Sequence, residues 1–315
     1  MRLSKKSKIY IAGHNGMVGS AIVRKLNSLG YQNLIVETSK NLDLRNSLET
    51  ESFFKLKKPE FVFLAAAKVG GILANSTYKA DFIYDNLMIQ SNVIKNAHKY
   101  DVKKLLFLGS SCIYPKESPQ PIKEEYLLSG LLEATNEPYA IAKIAGLKMC
   151  EYFREQYGCN FISAMPTNLY GPNDNFDLKT SHVFAALIRK FHEAKLQNLS
   201  EIELWGTGSP KREFLHVDDL AEALIFLMNN YDSNSTINVG TGEDVSIKEL
   251  ANNMQKLIGF NGAIYWNEEM PDGTPRKLLN VSKINNLGWK FRIELTNGIE
   301  QTYRWYTKNI GNLKL

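Results

Sequence analysis

Cysteine is scarce in this 315-residue chain, which holds only Cys112, Cys150 and Cys159 and has no C-x-x-C pair. The sequence therefore suggests neither a disulfide framework nor a structural zinc site; no metal is expected, and a reducing cytoplasm fits. Long apolar runs are missing too. The longest, Phe61 to Ala67, falls far short of the about 18 residues of a membrane span. Behind the basic start, Met1 to Lys8, the apolar stretch runs only from Ile9 to Ala12, against the ~7 residues of a signal-peptide core. There is no Lys/Arg block either. The 38 basic and 33 acidic residues are dispersed and leave a net charge of +5, too little for a nucleic-acid footprint. What is present is ordinary for a soluble globular protein: 44% apolar, 23% charged and 11% aromatic residues. The length suggests roughly two domains at ~150 residues each.

Up to about residue 170, short unbroken apolar runs alternate with stretches of helical spacing, the pattern of βαβ units. Lys8 to Ala12 reads as a strand. Ile22, Leu26 and Leu29 then recur on one helix face, with Gly30 placed to cap the helix. Leu34 to Val36, Phe61 to Ala65, Lys104 to Leu108 and Phe161 to Met165 read as further strands, the longer of them apolar enough to lie buried under helices. The expected fold class is α/β, a doubly wound parallel Rossmann sheet with a smaller mixed C-terminal substrate lobe. Beyond Pro166 loop signals take over, at Gly171 to Asn175, Trp205 to Gly208 and Pro271 to Pro275, around a helix-like stretch near His182 to Ala194. Ile237 to Val239 resembles one more sheet strand. The expected division is a dinucleotide-binding domain at 1–170 with a return segment near 215–242, and a substrate-binding lobe at 171–214 and 243–315.

Gly13-His14-Asn15-Gly16-Met17-Val18-Gly19 lies between the first strand and the first helix, where backbone N–H groups and a helix N-terminus hold a dinucleotide pyrophosphate. A glycine triplet alone is a weak signal, and the strand–loop–helix context strengthens it. Glu37 ends the second strand. An acidic side chain there accepts hydrogen bonds from the adenosine ribose and repels a 2′-phosphate, which argues for NAD(H); Ser39, Lys40 and Arg45 stand close enough in sequence to receive a phosphate instead. Tyr139 and Lys143 lie one turn apart at the start of a helical stretch, Tyr139 to Tyr157, and a cation beside a phenol favours the phenolate. Tyr-x-x-x-Lys is common by accident, but here it follows a strand ending in Gly109-Ser110-Ser111, whose hydroxyl can reach the same substrate oxygen.

Together the glycine loop, the strand-end serine and Tyr-x-x-x-Lys resemble the extended short-chain dehydrogenase/reductase family over nearly the whole chain. Longer strings, Ala65 to Ile72, Gly109 to Pro115, Asn136 to Lys143 and Pro166 to Pro172, are similar to the GDP-L-fucose synthases within it. The resemblance implies 3,5-epimerisation of GDP-4-keto-6-deoxy-D-mannose followed by reduction at C4 with NADP(H), in a cytoplasmic homodimer with no nucleic-acid or membrane partner. Protons α to a ketone can be removed when the enolate oxygen is stabilised, and inversion needs an acid on the opposite face. The resemblance makes Cys112 the base and His182 the acid, and gives the C4 oxygen to Ser110 and Tyr139 beside Lys143. It further implies that Gly13, His14, Asn15, Gly16, Met17, Val18, Gly19, Glu37, Leu108, Gly109, Lys143, Pro166, Thr167, Asn168, Leu169 and His182 line the cofactor site. Lys190, Trp205, Arg212 and Asp272 are the implied GDP-sugar ligands. By residue type alone, Cys112 also reads as a small buried hydrophobe, Lys190 as an exposed helix lysine and Asp272 as a turn former; Cys150 and Cys159 keep the structural reading.

Two features depart from the family pattern. Asn15 and Glu37 stand where some members place arginines near the 2′-phosphate, which admits NAD(H) beside NADP(H), and Asn280 stands where members often carry aspartate. An enzyme on a related GDP-4-keto-sugar such as a heptose is the neighbouring reading. A dinucleotide-sensing regulatory module on the same fold is a more distant one, and the intact set of Ser110, Tyr139 and Lys143 speaks against it.

Overall fold

The computed structural model describes residues 2–270 and 272–313; Met1 and Pro271, named above, lie outside the described residues. In chain order the elements are β1 (Ile9–Ala12), α1 (Met17–Ser28), β2 (Leu34–Ile35), α2 (Ser47–Lys57), β3 (Phe61–Leu64), α3 (Ile72–Thr77), α4 (Lys79–Lys99), β4 (Lys104–Leu108), α5 (Glu137–Tyr157), β5 (Phe161–Pro166) and β6 (Asn168–Tyr170). They continue with α6 (Val183–Leu196), β7 (Glu201–Trp205), β8 (Lys211–Arg212), β9 (Phe214–His216), α7 (Val217–Asn230), β10 (Ile237–Val239), β11 (Val245–Ser246), α8 (Ile247–Ile258), β12 (Ala263–Asn267), β13 (Arg276–Lys277), α9 (Ser282–Asn286) and α10 (Leu295–Asn309).

Six strands form one parallel sheet in the order β10-β5-β4-β3-β1-β2. Every residue of β1, β3, β4 and β5 is buried, so these strands show unbroken apolar runs rather than an inside–outside alternation. Because all six run the same way, their C-terminal ends open on one crevice, the place where ligands bind in open α/β sheets. The strand expected at Ile237 to Val239 does join this sheet, beside β5. Element ends differ from the sequence reading by a residue or so. Helix α1 stops at Ser28, which makes Leu29 its C-cap and leaves it 40% exposed instead of on the buried face with Ile22 and Leu26. Strand β2 stops at Ile35, leaving Val36 37% exposed, and β3 stops at Leu64, before Ala65.

The segment after Pro166 holds more strand than its loop signals suggest. β6 pairs with β9, β7 with β12, and β8 lies between β11 and β13. These strands span two to five residues and find their partners far along the chain, so no local pattern marks most of them. The apolar interior forms two clusters. One surrounds the six-stranded sheet and takes in Leu215 to Val239 and Leu279 to Trp289; the other, rich in aromatics, contains Tyr170, Phe184, Phe191, Phe214, Phe260 and Tyr306.

Glu213, fully buried between β8 and β9, fastens the two regions. Its Oε1 accepts from the Gly242 N–H at 2.8 Å and its Oε2 from the Leu279 N–H at 2.9 Å, while its backbone carbonyl accepts from Asn168 Nδ2 at 2.8 Å. Lys104 is buried at the start of β4 and donates to the carbonyls of Leu227, Met228 and Tyr231 at the end of α7. Burial lowers its pKa to about 8. Removing an acceptor that satisfies two buried N–H groups costs more than a surface contact does. Glu213→Ala is expected to lower the unfolding free energy by about 2 to 4 kcal/mol in chemical denaturation. A loss below ~1 kcal/mol would show that the Gly242 and Leu279 amides find other partners.

Candidate active site

The loop from Gly13 to Gly19 leaves β1 and enters α1. Gly13 has φ +85°, and a Cβ there would lie 2.8 Å from the Ala66 backbone, so neither its conformation nor its surroundings admit a side chain. A Cβ on Gly19 would stand 2.1 Å from the Gly13 carbonyl oxygen; only glycine lets the helix rise this close to its loop. The N-terminus of α1 has no side-chain cap and no acidic residue in its first turn. His14 Nδ1 is buried without a hydrogen-bond partner. These are free donors and an uncompensated helix dipole, and they fit a dinucleotide pyrophosphate.

Because β2 stops at Ile35, Glu37 does not end the strand as expected but lies two residues past it, 3.8 Å from Lys57 Nζ, a cation that sequence reasoning missed. Arg45 is paired with Asp43 at 2.8 Å and Asp85 at 3.2 Å, whereas Ser39 and Lys40 stay exposed. At the end of β5, the Thr167 hydroxyl and the Asn168 amide are both turned toward the Glu213 carbonyl.

The end of β4 and the start of α5 bring four of the expected residues together. Ser110 caps the short turn Ser111–Ile113 by accepting from the Cys112 N–H, and the thiol of Cys112 is buried. Pro138 is the second residue of α5, which carries Tyr139 and Lys143 in its first two turns. The Lys143 ammonium is buried, donates to the Leu108 carbonyl at 2.7 Å and stands 5.7 Å from the Tyr139 ring centre. This arrangement corrects the sequence argument that the cation would favour a phenolate. Burial raises the Tyr139 pKa, with the Cys112 sulfur adding to it, and lowers that of Lys143 to about 8. The phenol keeps its proton at neutral pH. Burial likewise raises the Cys112 pKa, against the opposing charges of Lys277 and Lys143.

His182 is the N-cap of α6, and its side chain makes no capping bond, which leaves the imidazole free. The ring is exposed within the cleft, whose walls lower its pKa with help from the Lys277 charge. The segment leading to it crosses from α1, where Asn173 Nδ2 donates to Ser20 Oγ at 2.9 Å, to the loop after β3, where the Gly71 N–H donates to the Thr180 carbonyl at 2.8 Å. On that segment burial raises the Asp174 pKa to about 7, another group the sequence did not point to.

Lys190, Trp205, Arg212 and Asp272 are linked by a chain of contacts. Lys190 Nζ donates to the Glu203 carbonyl at 3.1 Å, two residues before Trp205, whose indole is 61% exposed. Asp272 accepts from the Thr207 N–H at 2.8 Å and its hydroxyl at 2.7 Å, and its charge faces Arg212. Arg212 lies opposite Lys277 in the β8–β13 pair, and the Lys277 charge acts on the titration of both Cys112 and His182. Cys150 and Cys159 lie elsewhere. Cys150 is buried with its pKa raised to about 12, and Cys159 Sγ sits 3.3 Å from His98 Nδ1.

Residues 9–240 match the NAD dependent epimerase/dehydratase family. The chain belongs to that family. GDP-L-fucose synthase 1 of Arabidopsis thaliana is 57% identical to it over 308 residues, 98% of this chain and 95% of that one. GDP-L-fucose synthase of Escherichia coli (strain K12) is 53% identical over 313 residues, 96% of this chain and 98% of that one. Among solved structures, a GDP-L-fucose synthetase from Naegleria fowleri bound to NADP matches with a TM-score of 0.94 at 28% identity, covering 100% of this chain and 97% of that one. A GDP-6-OMe-4-keto-L-xylo-heptose reductase from C. jejuni matches with a TM-score of 0.93 at 43% identity, covering 98% and 100%.

The family's dinucleotide loop depends here on the contact between Gly19 and the Gly13 carbonyl. Gly19→Ala is expected to push α1 away from the loop and weaken nicotinamide dinucleotide binding by more than about tenfold in a fluorescence titration. Unchanged affinity would place the pyrophosphate elsewhere.

Proposed function

We propose that the chain is a GDP-L-fucose synthase, which epimerises GDP-4-keto-6-deoxy-D-mannose at C3 and C5 and then reduces C4. The observation that carries this reading is the convergence of Ser110, Cys112, Tyr139 and Lys143 at the end of β4, with the uncapped His182 on a separate segment. Residues 1–170 and the return segment 215–242 hold the dinucleotide, and 171–214 with 243–315 hold the GDP-sugar. Lys190 and Arg212 supply cations for the diphosphate and Trp205 an open indole face for the base. Asp272 supports Thr207 beside them.

Tyr139 and Ser110 hydrogen-bond the C4 oxygen and hold the charge that develops there when a neighbouring carbon loses its proton. Cys112 takes that proton, and His182 returns one from the opposite face. NADP(H) supplies the hydride for C4 when bound at the Gly13–Gly19 loop. Lys143 is held by the Leu108 carbonyl 5.7 Å from the Tyr139 ring centre, and burial keeps on the phenol the proton that the C4 alkoxide requires. NADH is a second cofactor, because Glu37 stands at the ribose end of the site. A cytoplasmic homodimer completes the reading; the exposed Tyr84, Ile141 and Tyr152 on α4 and α5 offer a surface for it. Among the described residues no helix is long and apolar enough to cross a membrane.

The test is incubation with GDP-4-keto-6-deoxy-D-mannose and each reduced nicotinamide, with the product identified by NMR. The likeness to the heptose reductase supports a second reading, and turnover of a GDP-4-keto-heptose alone would favour it. Glu37→Ser should remove the repulsion of a 2′-phosphate and raise the NADPH-to-NADH ratio of kcat/KM by about tenfold; an unchanged ratio would exclude Glu37 from cofactor choice. Tyr139→Phe should lower reduction by about 10² to 10⁴ while solvent deuterium still enters C3 and C5, and Cys112→Ser should suppress that exchange. Equal losses of both signals in Tyr139→Phe would assign the two stages to one shared group.

A further inference from the structure

The segment that carries His182 closes on itself around one carboxylate. Asp177 Oδ1 accepts from the Lys179 N–H at 3.1 Å and from the Thr180 N–H and hydroxyl at 2.9 and 2.8 Å. The Asp177 carbonyl accepts from the Ser181 N–H at 2.8 Å, and Arg189 of α6 donates to the Phe176 carbonyl at 3.1 Å. This turn meets the loop after β3 at Gly71. The Gly71 N–H donates to the Thr180 carbonyl at 2.8 Å, and a Cβ on Gly71 would stand 2.6 Å from the Ser181 carbonyl oxygen. Only glycine admits so close an approach. Among the described residues the buried Ser181 Oγ has no hydrogen-bond partner, and the His182 side chain makes no capping bond, so backbone contacts place the imidazole.

Gly71 is itself held from behind. The buried Asn75 donates through Nδ2 to the Gly70 and Gly71 carbonyls, at 2.6 and 3.0 Å. A Cβ on Gly70 would stand 3.2 Å from Phe82 Cζ, and the Phe82 ring lies edge-on to that of Tyr139 with ring centres 6.4 Å apart. Asn86, one turn further along α4, accepts from the Lys68 N–H and donates to the Lys68 carbonyl, both at 3.0 Å. The loop after β3 thus bridges two parts of the site: it reaches Tyr139 through Phe82, and the segment of His182 through Gly71. Neither Gly71 nor Asn75 belongs to the residues assigned to cofactor, substrate or proton transfer.

We propose that Gly71 and Asn75 are positioning residues of the epimerisation stage. By holding the Thr180–Ser181 backbone against the loop after β3, they set where the His182 imidazole stands relative to Tyr139 and hence to the C4 oxygen. The inference rests on the reading of Cys112, Tyr139 and His182 given above. Proton removal needs the Cys112 sulfur and the hold on the C4 oxygen: the C–H bond breaks and its electrons move toward that oxygen. Inversion also needs His182 within reach of the same carbon from the other face. A displaced imidazole leaves the first step intact. The enolate then takes a proton back from Cys112, whose thiol has exchanged with solvent, on the face that lost one. Solvent label enters without inversion.

The experiment is incubation with GDP-4-keto-6-deoxy-D-mannose and NADP⁺ in deuterium oxide, where no reduction follows and NMR separates deuterated sugar of inverted and retained configuration. In Gly71→Ala the inverted-to-retained ratio should fall about tenfold, with total exchange within about twofold of the parent, a split that a purely structural role would not produce. Asn75→Ala adds no bulk and serves if the glycine variant does not fold; its ratio should fall about threefold. In a His182→Gln background Gly71→Ala should change the ratio by less than about twofold, because the group it displaces is already gone. Without substrate, the His182 imidazole proton resonance, identified by its loss in His182→Gln, should shift in Gly71→Ala. An unchanged ratio, equal losses of exchange and inversion, or the same fall in the His182→Gln background overturns the proposal. A parent protein that exchanges no deuterium overturns the functional reading instead. The His182 resonance then still decides whether Gly71 places the imidazole, and an unshifted one overturns that too.

Discussion

The site is assembled from two regions that meet around one buried carboxylate. Glu213 places its two side-chain oxygens against the N–H groups of Gly242 and Leu279, and its backbone accepts from Asn168 and donates to Lys277. A carboxylate withdrawn from water costs several kcal/mol unless every lone pair has a donor, so these segments are held where the donors must be. Arg212 and Lys277 stand next to Glu213 in sequence or in strand pairing, and Ser110 and Cys112 follow the neighbouring sheet strand β4. A single buried residue thus ties together segments that are far apart in the sequence.

Burial pushes the ionisable groups of the cleft toward their neutral forms. It raises Tyr139, Cys112 and Asp174 and lowers Lys143, His182, Lys277, Lys190 and Arg212. A protonated Tyr139 is the state a proton donor needs, and a protonated Cys112 is the state a base must leave. The two stages of the proposed reaction thus place opposite demands on neighbouring groups. Burial opposes ionisation of Cys112, while the charges of Lys277 and Lys143 act in the other direction. Lys190 and Arg212 are partly withdrawn from water, which makes them stronger donors to an anion than fully solvated cations would be.

Much of the frame was legible before any coordinates. β1, β3, β4 and β5 announced themselves because a strand buried on both faces has no polar alternation, and Gly13 to Gly19 because a helix can approach its loop so closely only through glycine. Tyr139 and Lys143 share a helix face by spacing alone. Their placement beside Ser110 and Cys112 follows from the parallel order of β4 and β5 with α5 between them. The specific identity of the substrate came from long strings of residues resembling a family, not from periodicity.

The chain by itself thus determined which segments are strands of the main sheet, where the dinucleotide loop lies and which side chains share a helix turn, because each of these depends on neighbours in sequence. The pairing of β7 with β12, the contact of Lys57 with Glu37, the attachment of Asp272 to Thr207 and the pairing of Lys277 with Arg212 were decided only in three dimensions. So was the sign of the Tyr139 shift. Lys143 lies one turn away in sequence, as an argument from charge requires, but its ammonium is turned to the Leu108 carbonyl and the phenol is enclosed, so burial outweighs the cation. Burial and long-range charge depend on which atoms the fold brings within a few ångströms, and no local pattern of residues carries that information.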